Sequence, residues 1–275
     1  MLTQLKQTTE YLQSKIKEQS DFVIVLGSGL GKLTDEIEDP LSIPYDEIPN
    51  FPNTAVQGHL GKLIYGKIHD KKVLVMSGRF HYYEGHSMST VVFPIRVFKM
   101  LNINKLILSN ASGGVNPSFK VGDVMLIEDH INMMLENPLR GPNIDTLGPR
   151  FVNMNEPYDK EMIKIAENVA KNHNIYIHKG TYVALQGPTF ETPAEYGMVQ
   201  KIGGDAVGMS TVPEVIVAKH MGMRVFALSV ITDLGGADMK DNYFTHEDVL
   251  HVGHKAMPSV ISIVKGLIHS LPPSF

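Results

Sequence analysis

Phe22-Val23-Ile24-Val25-Leu26-Gly27-Ser28-Gly29-Leu30-Gly31 carries an apolar run straight into a glycine turn. A run this short, apolar on both faces, predicts a strand covered on both sides, as in the parallel or mixed sheet of an α/β protein. Closely spaced glycines let backbone N–H groups converge on an anion, and Ser28 adds a hydroxyl donor, so the turn reads as a phosphate cradle. It reads equally as a plain tight turn. The dinucleotide fingerprint is incomplete, because Lys32 stands where its third glycine belongs. The Walker pattern fails too, lacking one spacer and a Ser/Thr where Leu33 stands.

Similar apolar runs recur at Lys72–Met76, Lys105–Ser109, Val124–Ile127, Tyr182–Leu185, Asp205–Met209 and Arg224–Ile231. Helical patterns fall between them at 88–101, 158–173, 192–202 and 213–221. The fold expected is α/β: a single-domain three-layer sandwich over residues 1–275, with a central mixed, mostly parallel sheet flanked by helices. Two long connections, Asp39–Gly61 and Glu136–Tyr158, are rich in Pro, Gly or Asn, and loops of that length serve as lids or subunit contacts more often than as idle links. Thr245-His246-Glu247-Asp248 is a capping-box pattern that starts a helix, which Pro258 is expected to kink or break.

Composition narrows the partners. Hydrophobic residues make up 43% and charged residues 20%, the balance of an ordinary globular protein. A net charge of −4 without a long Lys/Arg run argues against nucleic acid. The absence of cysteine removes disulfides, thiolate nucleophiles and Cys-ligated zinc together. Met1–Ser20 reads as an amphipathic helix rather than a secretory segment, and no window is apolar enough to span a bilayer, so a cytoplasmic protein without membrane partners is expected.

Chemistry-bearing residues gather where the apolar runs end. In Ser77-Gly78-Arg79-Phe80-His81-Tyr82-Tyr83-Glu84-Gly85, Arg79 offers a planar donor fork for phosphate oxygens, and His81 points the same way if the strand continues. His59 is a further loop histidine. Leu108-Ser109-Asn110-Ala111-Ser112-Gly113-Gly114 ends in small residues that allow a ligand close to the backbone. In Gly187-Pro188-Thr189-Phe190-Glu191-Thr192 an aromatic ring and a carboxylate could stack on a heterocycle and accept from its ring N–H, although Glu191 also suits an exposed helix start. Ser210, ahead of Thr211-Val212-Pro213, could cap a helix or bind phosphate beside its N-terminus. Asp233 closes the last strand, where ligands collect in open α/β sheets. No His-Glu-x-x-His or Gly-x-Ser-x-Gly pattern is present, which weakens metalloprotease and α/β-hydrolase readings.

Taken together, these segments resemble the trimeric class of purine nucleoside phosphorylases, in order from Gly27 to the helix after His246. The most specific stretches are Gly78 to Gly85 and Asp205-Ala206-Val207-Gly208-Met209-Ser210-Thr211-Val212-Pro213-Glu214-Val215. The resemblance implies phosphate-dependent cleavage of purine nucleosides, with no metal or cofactor and with phosphate as co-substrate. It implies that Ser28, Arg79, His81, Ala111 (through its backbone) and Ser210 hold phosphate, with His59 bordering that side. Tyr83, Tyr182, Val207, Met209 and His246 would surround the nucleoside, and Phe190 and Glu191 would face the purine. Phe151 would reach a neighbour's ribose, making a homotrimer the functional unit. His81, Glu191, Asp233 and His246 would be the residues closest to the chemistry.

One position departs from that pattern. Most members that prefer 6-oxopurines have Asn where this chain has Asp233. An ionised Asp only accepts, which disfavours O6 and suits a 6-amino group, whereas a protonated Asp could donate to N7. The expectation is an enzyme for inosine and guanosine with room for adenosine. The related methylthioadenosine phosphorylases, which carry Asp here but resemble the chain less around Glu191 and His246, are the alternative. A nucleosidase using water and a non-catalytic nucleoside-binding protein are the other rivals.

Overall fold

The computed structural model describes residues 1–52, 60–235 and 244–272. Its helices are α1 (Leu2–Lys15), α2 (Met88–Val91), α3 (Phe93–Met100), α4 (Lys160–Asn172), α5 (Pro193–Lys201), α6 (Val212–His220) and α7 (His246–Ser270). Its strands are β1 (Phe22–Val25), β2 (Glu38–Pro44), β3 (Lys62–Ile68), β4 (Lys71–Ser77), β5 (Lys105–Gly114), β6 (Val124–Asn132), β7 (Ile177–Ala184), β8 (Ala206–Gly208) and β9 (Arg224–Leu234). Among the described residues no helix is long and apolar enough to cross a membrane.

The strands form one mixed sheet in the order β2-β3-β4-β1-β5-β8-β7-β6-β9, with β5 pairing β9 as well. That extra pairing closes β5, β8, β7, β6 and β9 into a ring, so the sheet is open at one end and barrel-like at the other. β4, β1, β5 and β9 are mutually parallel, which puts their carboxyl ends on one side. All four residues of β1 are fully buried, as the apolar run requires.

The glycine turn after β1 is demanded by what crosses it. A Cβ on Gly27 would lie 2.7 Å from Asn110 Cα and 2.8 Å from Ser109 O, both backbone atoms of β5. Gly29 has φ +74° and lies against Gly253 of α7, where a Cβ would sit 3.1 Å from its Cα. The turn is therefore the seat of α7. The Thr245 cap is present, its hydroxyl accepting from Asp248 N–H at 3.3 Å. Pro258 does not break α7, which runs on to Ser270.

Three local expectations change. β2 and β3 lie where the sequence reads as one long loop or carries no strand-length apolar run. β2 is an exposed edge strand containing Pro40 and Pro44, so it has no apolar period to betray it, and edge strands are where sheet prolines are tolerated. The helical pattern 88–101 divides at Val92, because Pro94 cannot donate to the turn behind it and instead opens α3. β7 starts at Ile177, well ahead of its apolar end, because His178 and Lys179 interrupt the apolar run.

Gly27→Ala should lower stability by about 1–3 kcal/mol, since the added methyl meets backbone rather than a movable side chain. An unchanged melting temperature would show that β1 and β5 can part at no cost.

Candidate active site

At the carboxyl ends of the parallel strands lies a cavity of about 370 Å³. One wall comes from Gly27 and Ser28 after β1, Arg79 and His81 after β4, and Asn110 to Gly113 in β5. The ring of strands brings in Val207, Met209 and Ser210 from the other side, with Thr232 and Asp233 from β9. Phe190 and Glu191, ahead of α5, and His246 and Val249, at the start of α7, complete it.

Arg79 is 2% exposed, and its position is fixed from several sides. Nη1 donates to Ser109 O at 2.8 Å and to Ser210 Oγ at 3.2 Å, while Nε lies 3.4 Å from Glu214 Oε1. Burial pushes the Glu214 carboxyl upward, and Arg79 opposes that. Glu214 Oε2 also accepts from Thr211 N–H at 3.1 Å. Thr211 itself stands at φ 70°, ψ −56°, with Val212 N–H donating to Ser210 O at 2.7 Å, a γ-turn that a β-branched residue adopts only under strain. The strain is held by the Glu214 bond and by Asn110, whose amide donates to Thr211 Oγ1 at 2.8 Å. Ser210 is thus presented beside Arg79 at the mouth of α6.

His81 is gripped by Glu84, whose Oε1 accepts from the His81 backbone N–H at 2.8 Å and lies 3.1 Å from Nδ1. That contact favours the tautomer protonated on Nδ1. Burial lowers the imidazole's pKa, with Glu84 pulling the other way. The ring stacks on Tyr83 at 4.7 Å, so one arrangement places both on the cavity wall.

The opposite end of the cavity is acidic. Glu191 Oε1 is buried without a hydrogen-bond partner among the described residues, and burial raises its carboxyl to about 7. An orphaned acceptor of this kind calls for a donor from a bound molecule. Asp233, 4% exposed, accepts from Tyr196 Oη at 2.7 Å through Oδ2 and from Thr232 Oγ1 at 3.0 Å through Oδ1. Burial raises its pKa and those two donors oppose the rise. Its aim comes from a bulge: Ser112 pairs Ile231 and Gly113 pairs Asp233, leaving Thr232 as an extra residue.

Ser28, Arg79, His81, Ala111, Ser210, Tyr83, Phe190, Glu191, Val207, Met209, Asp233 and His246 all line this cavity. Tyr182 does not: it is fully buried, and its hydroxyl accepts from Ser210 N–H at 3.4 Å, so it supports the wall from behind. Phe151 is 88% exposed and borders a separate hollow with His130, Arg140 and Arg150. His59 lies outside the described residues. No sequence pattern assigns Glu84, Glu214 or Tyr196 to the site. Glu84 and Glu214 sit three residues after His81 and Thr211, and that capping spacing was the available signal. Tyr196 gave none.

The chain matches the family model described as "Phosphorylase superfamily" over residues 21–269. It is 47% identical to purine nucleoside phosphorylase 1 of Geobacillus stearothermophilus, with 98% of each chain covered. The crystal structure of Schistosoma mansoni purine nucleoside phosphorylase in complex with adenosine superposes with a TM-score of 0.94 at 42% identity, covering 98% of both chains. The structure of that enzyme in complex with inosine gives 0.93 at 41%, covering 98% of this chain and 97% of the other.

Glu191 makes a signed stability prediction. Between its ordinary 4.5 and about 7 the folded carboxyl keeps a proton that the unfolded chain has lost. Stability should therefore fall as pH rises through that interval, by on the order of 3 kcal/mol, and level off above it. Glu191→Gln should flatten the slope in ligand-free unfolding experiments; equal slopes for both proteins would contradict it.

Proposed function

Because the chain belongs to the phosphorylase superfamily and its full-length relatives are purine nucleoside phosphorylases, we propose that it cleaves inosine and guanosine with inorganic phosphate and also accepts adenosine. It is a pentosyltransferase of the purine nucleoside phosphorylase class. The observation that carries the finer reading is the polarity of one cavity: Arg79, His81, Ser28 and Ser210 at one end, the buried carboxyls of Glu191 and Asp233 at the other.

The proposed reaction follows that polarity. Phosphate held by Arg79, Ser28, Ser210 and the backbone of Ala111 lies on the face of the sugar opposite the purine. As the C1′–N9 bond lengthens, its electron pair moves to the purine and positive charge develops on the ribose. A phosphate oxygen stabilises that charge and then bonds to C1′, giving ribose 1-phosphate. A neutral His81 Nε2 accepts from the phosphate's own hydroxyl. With a 6-oxopurine, Glu191 accepts from N1–H, which supports negative charge at O6, and Asp233 in its protonated form supplies a donor at N7. Phosphate is the co-substrate and no cofactor is required. Phe151, 88% exposed, is the residue we assign to a neighbouring subunit's site in a homotrimer.

Two experiments test this. Inosine should yield hypoxanthine and ribose 1-phosphate only when phosphate is present, and Arg79→Ala should cut kcat/KM by at least about a hundredfold, the scale of losing a charged transition-state donor; turnover of the native enzyme without phosphate would favour a nucleosidase. Asp233→Asn should raise the kcat/KM ratio of inosine to adenosine by about tenfold or more. An unchanged ratio would remove Asp233 from base selection.

A further inference from the structure

Tyr196, 2% exposed and outside the cavity lining, backs the acidic end from a helix with no other stake in the site. Thr192 caps α5, accepting from Glu195 N–H at 3.2 Å while Glu195 Oε2 accepts from Thr192 N–H at 2.7 Å. Glu191 precedes the cap and Tyr196 stands on the first turn beyond it, the two positions that a helix start brings side by side. The same cap therefore places the purine-facing acid and the tyrosine as neighbours. From there the Tyr196 hydroxyl reaches Asp233 Oδ2 at 2.7 Å.

The surrounding glycines leave room for this bond. A Cβ on Gly113 would lie 2.6 Å from Tyr196 Oη and 2.9 Å from Asp233 Oδ2. One on Gly235 would fall 1.8 Å from Tyr196 Cδ1. Backbone on two elements is thus stripped of side chains where the phenol meets the carboxyl.

We propose that Tyr196 is a positioning residue for base choice: its hydroxyl pins Asp233 through Oδ2 and holds it as an acceptor, favouring purines that present a 6-amino group. The proposal rests on the reading of Asp233 as the residue that meets the purine's N7 and C6 side. Each carboxylate oxygen has two lone pairs, so after the Tyr196 and Thr232 bonds one on each oxygen is left for a ligand. A 6-amino group can donate there, while O6 requires a protonated Asp233. The groups facing Asp233 are Tyr196, Thr232 and the Glu191 carboxyl; the first two donate to it, and Tyr196 also interacts with Glu191. Burial beside those two carboxyls holds the phenol far above its ordinary pKa, so Tyr196 remains a neutral donor.

Tyr196→Phe keeps the ring and deletes the donor. Asp233 should then stay protonated to higher pH, and the inosine-to-adenosine ratio of kcat/KM should rise by about tenfold, the scale of one hydrogen bond to a charged group. The pH at which that ratio turns over should move upward, which a purely structural role would not produce. In an Asp233→Asn background, where nothing titrates at the position, the same change should alter the ratio less than about twofold. A site-specific ring-fluorinated tyrosine, a stronger donor of the same shape, should move the ratio the other way and answers the question even if the phenylalanine variant folds poorly. If Asp233→Asn changes the ratio and neither Tyr196 replacement does, this inference is overturned and the role of Asp233 stands. If Asp233→Asn itself leaves the ratio unchanged, the underlying reading fails first. Equal losses on both nucleosides, with the pH turnover fixed, would also overturn the proposal.

Discussion

A guanidinium that is 2% exposed has to be answered from within the protein, and Arg79 is answered by β5, Ser210 and α6 at once. Removing a charge from water costs several kcal/mol unless geometry and hydrogen bonds compensate. Glu214 compensates in charge, Ser109 O and Ser210 Oγ in hydrogen bonds. Each of those partners is then constrained in turn. Glu214 also holds Thr211 N–H, Thr211 is clasped by Asn110, and Asn110 Oδ1 accepts from Ser229 Oγ at 2.7 Å. The γ-turn that exposes Ser210 persists because this network over-determines it.

The strand β5 links that cationic end to the acidic one. Its first part lies between β1 and β9, and its last two residues, Gly113 and Gly114, pair β8 as well. A strand with three partners has no free edge at the branch, and the bulge at Thr232 absorbs the mismatch in register. The bulge also delivers Asp233 to the cavity. The curvature that closes the ring is therefore what brings Ser210 against Arg79, with Val207 and Met209 lining the same cavity, a juxtaposition that a flat sheet would not give.

Much of this was legible in the chain because the physical causes are local. Apolar runs of strand length gave β1, β4, β5, β6 and β9, and strand ends rich in Gly, Ser, Arg and Asp marked the cavity. The cap at Thr245 follows from spacing alone. What was hidden depends on pairing across long separations. β2 carries no periodicity because it is exposed, and ring closure rests on β5 meeting β9, more than a hundred residues on. Tyr182 is a site residue only by the family resemblance, and the backbone of Gly208 comes so near its hydroxyl that a Cβ there would lie at 2.4 Å, leaving it behind the wall. Tyr196 is one aromatic on a weakly amphipathic helix, and only the arrival of Asp233 gives it a role.

The two ends of the cavity impose opposite requirements on ionisation. In the proposed reaction the electron pair released from the glycosidic bond travels away from the phosphate and toward Glu191 and Asp233. Two fully ionised carboxylates there would oppose the charge arriving on the purine, and in a site screened from water the opposition would be severe. Burial works against that double ionisation: it raises both carboxyls, Glu191 to about 7 and Asp233 above its ordinary value. Tyr196 and Thr232 pull Asp233 back toward its anion, while Glu191 keeps an oxygen with no internal donor. The acids are thus unequal: Glu191 keeps one oxygen for a ligand's donor while Asp233 has both oxygens engaged by the protein, and the proposed division between binding the base and selecting it rests on that difference.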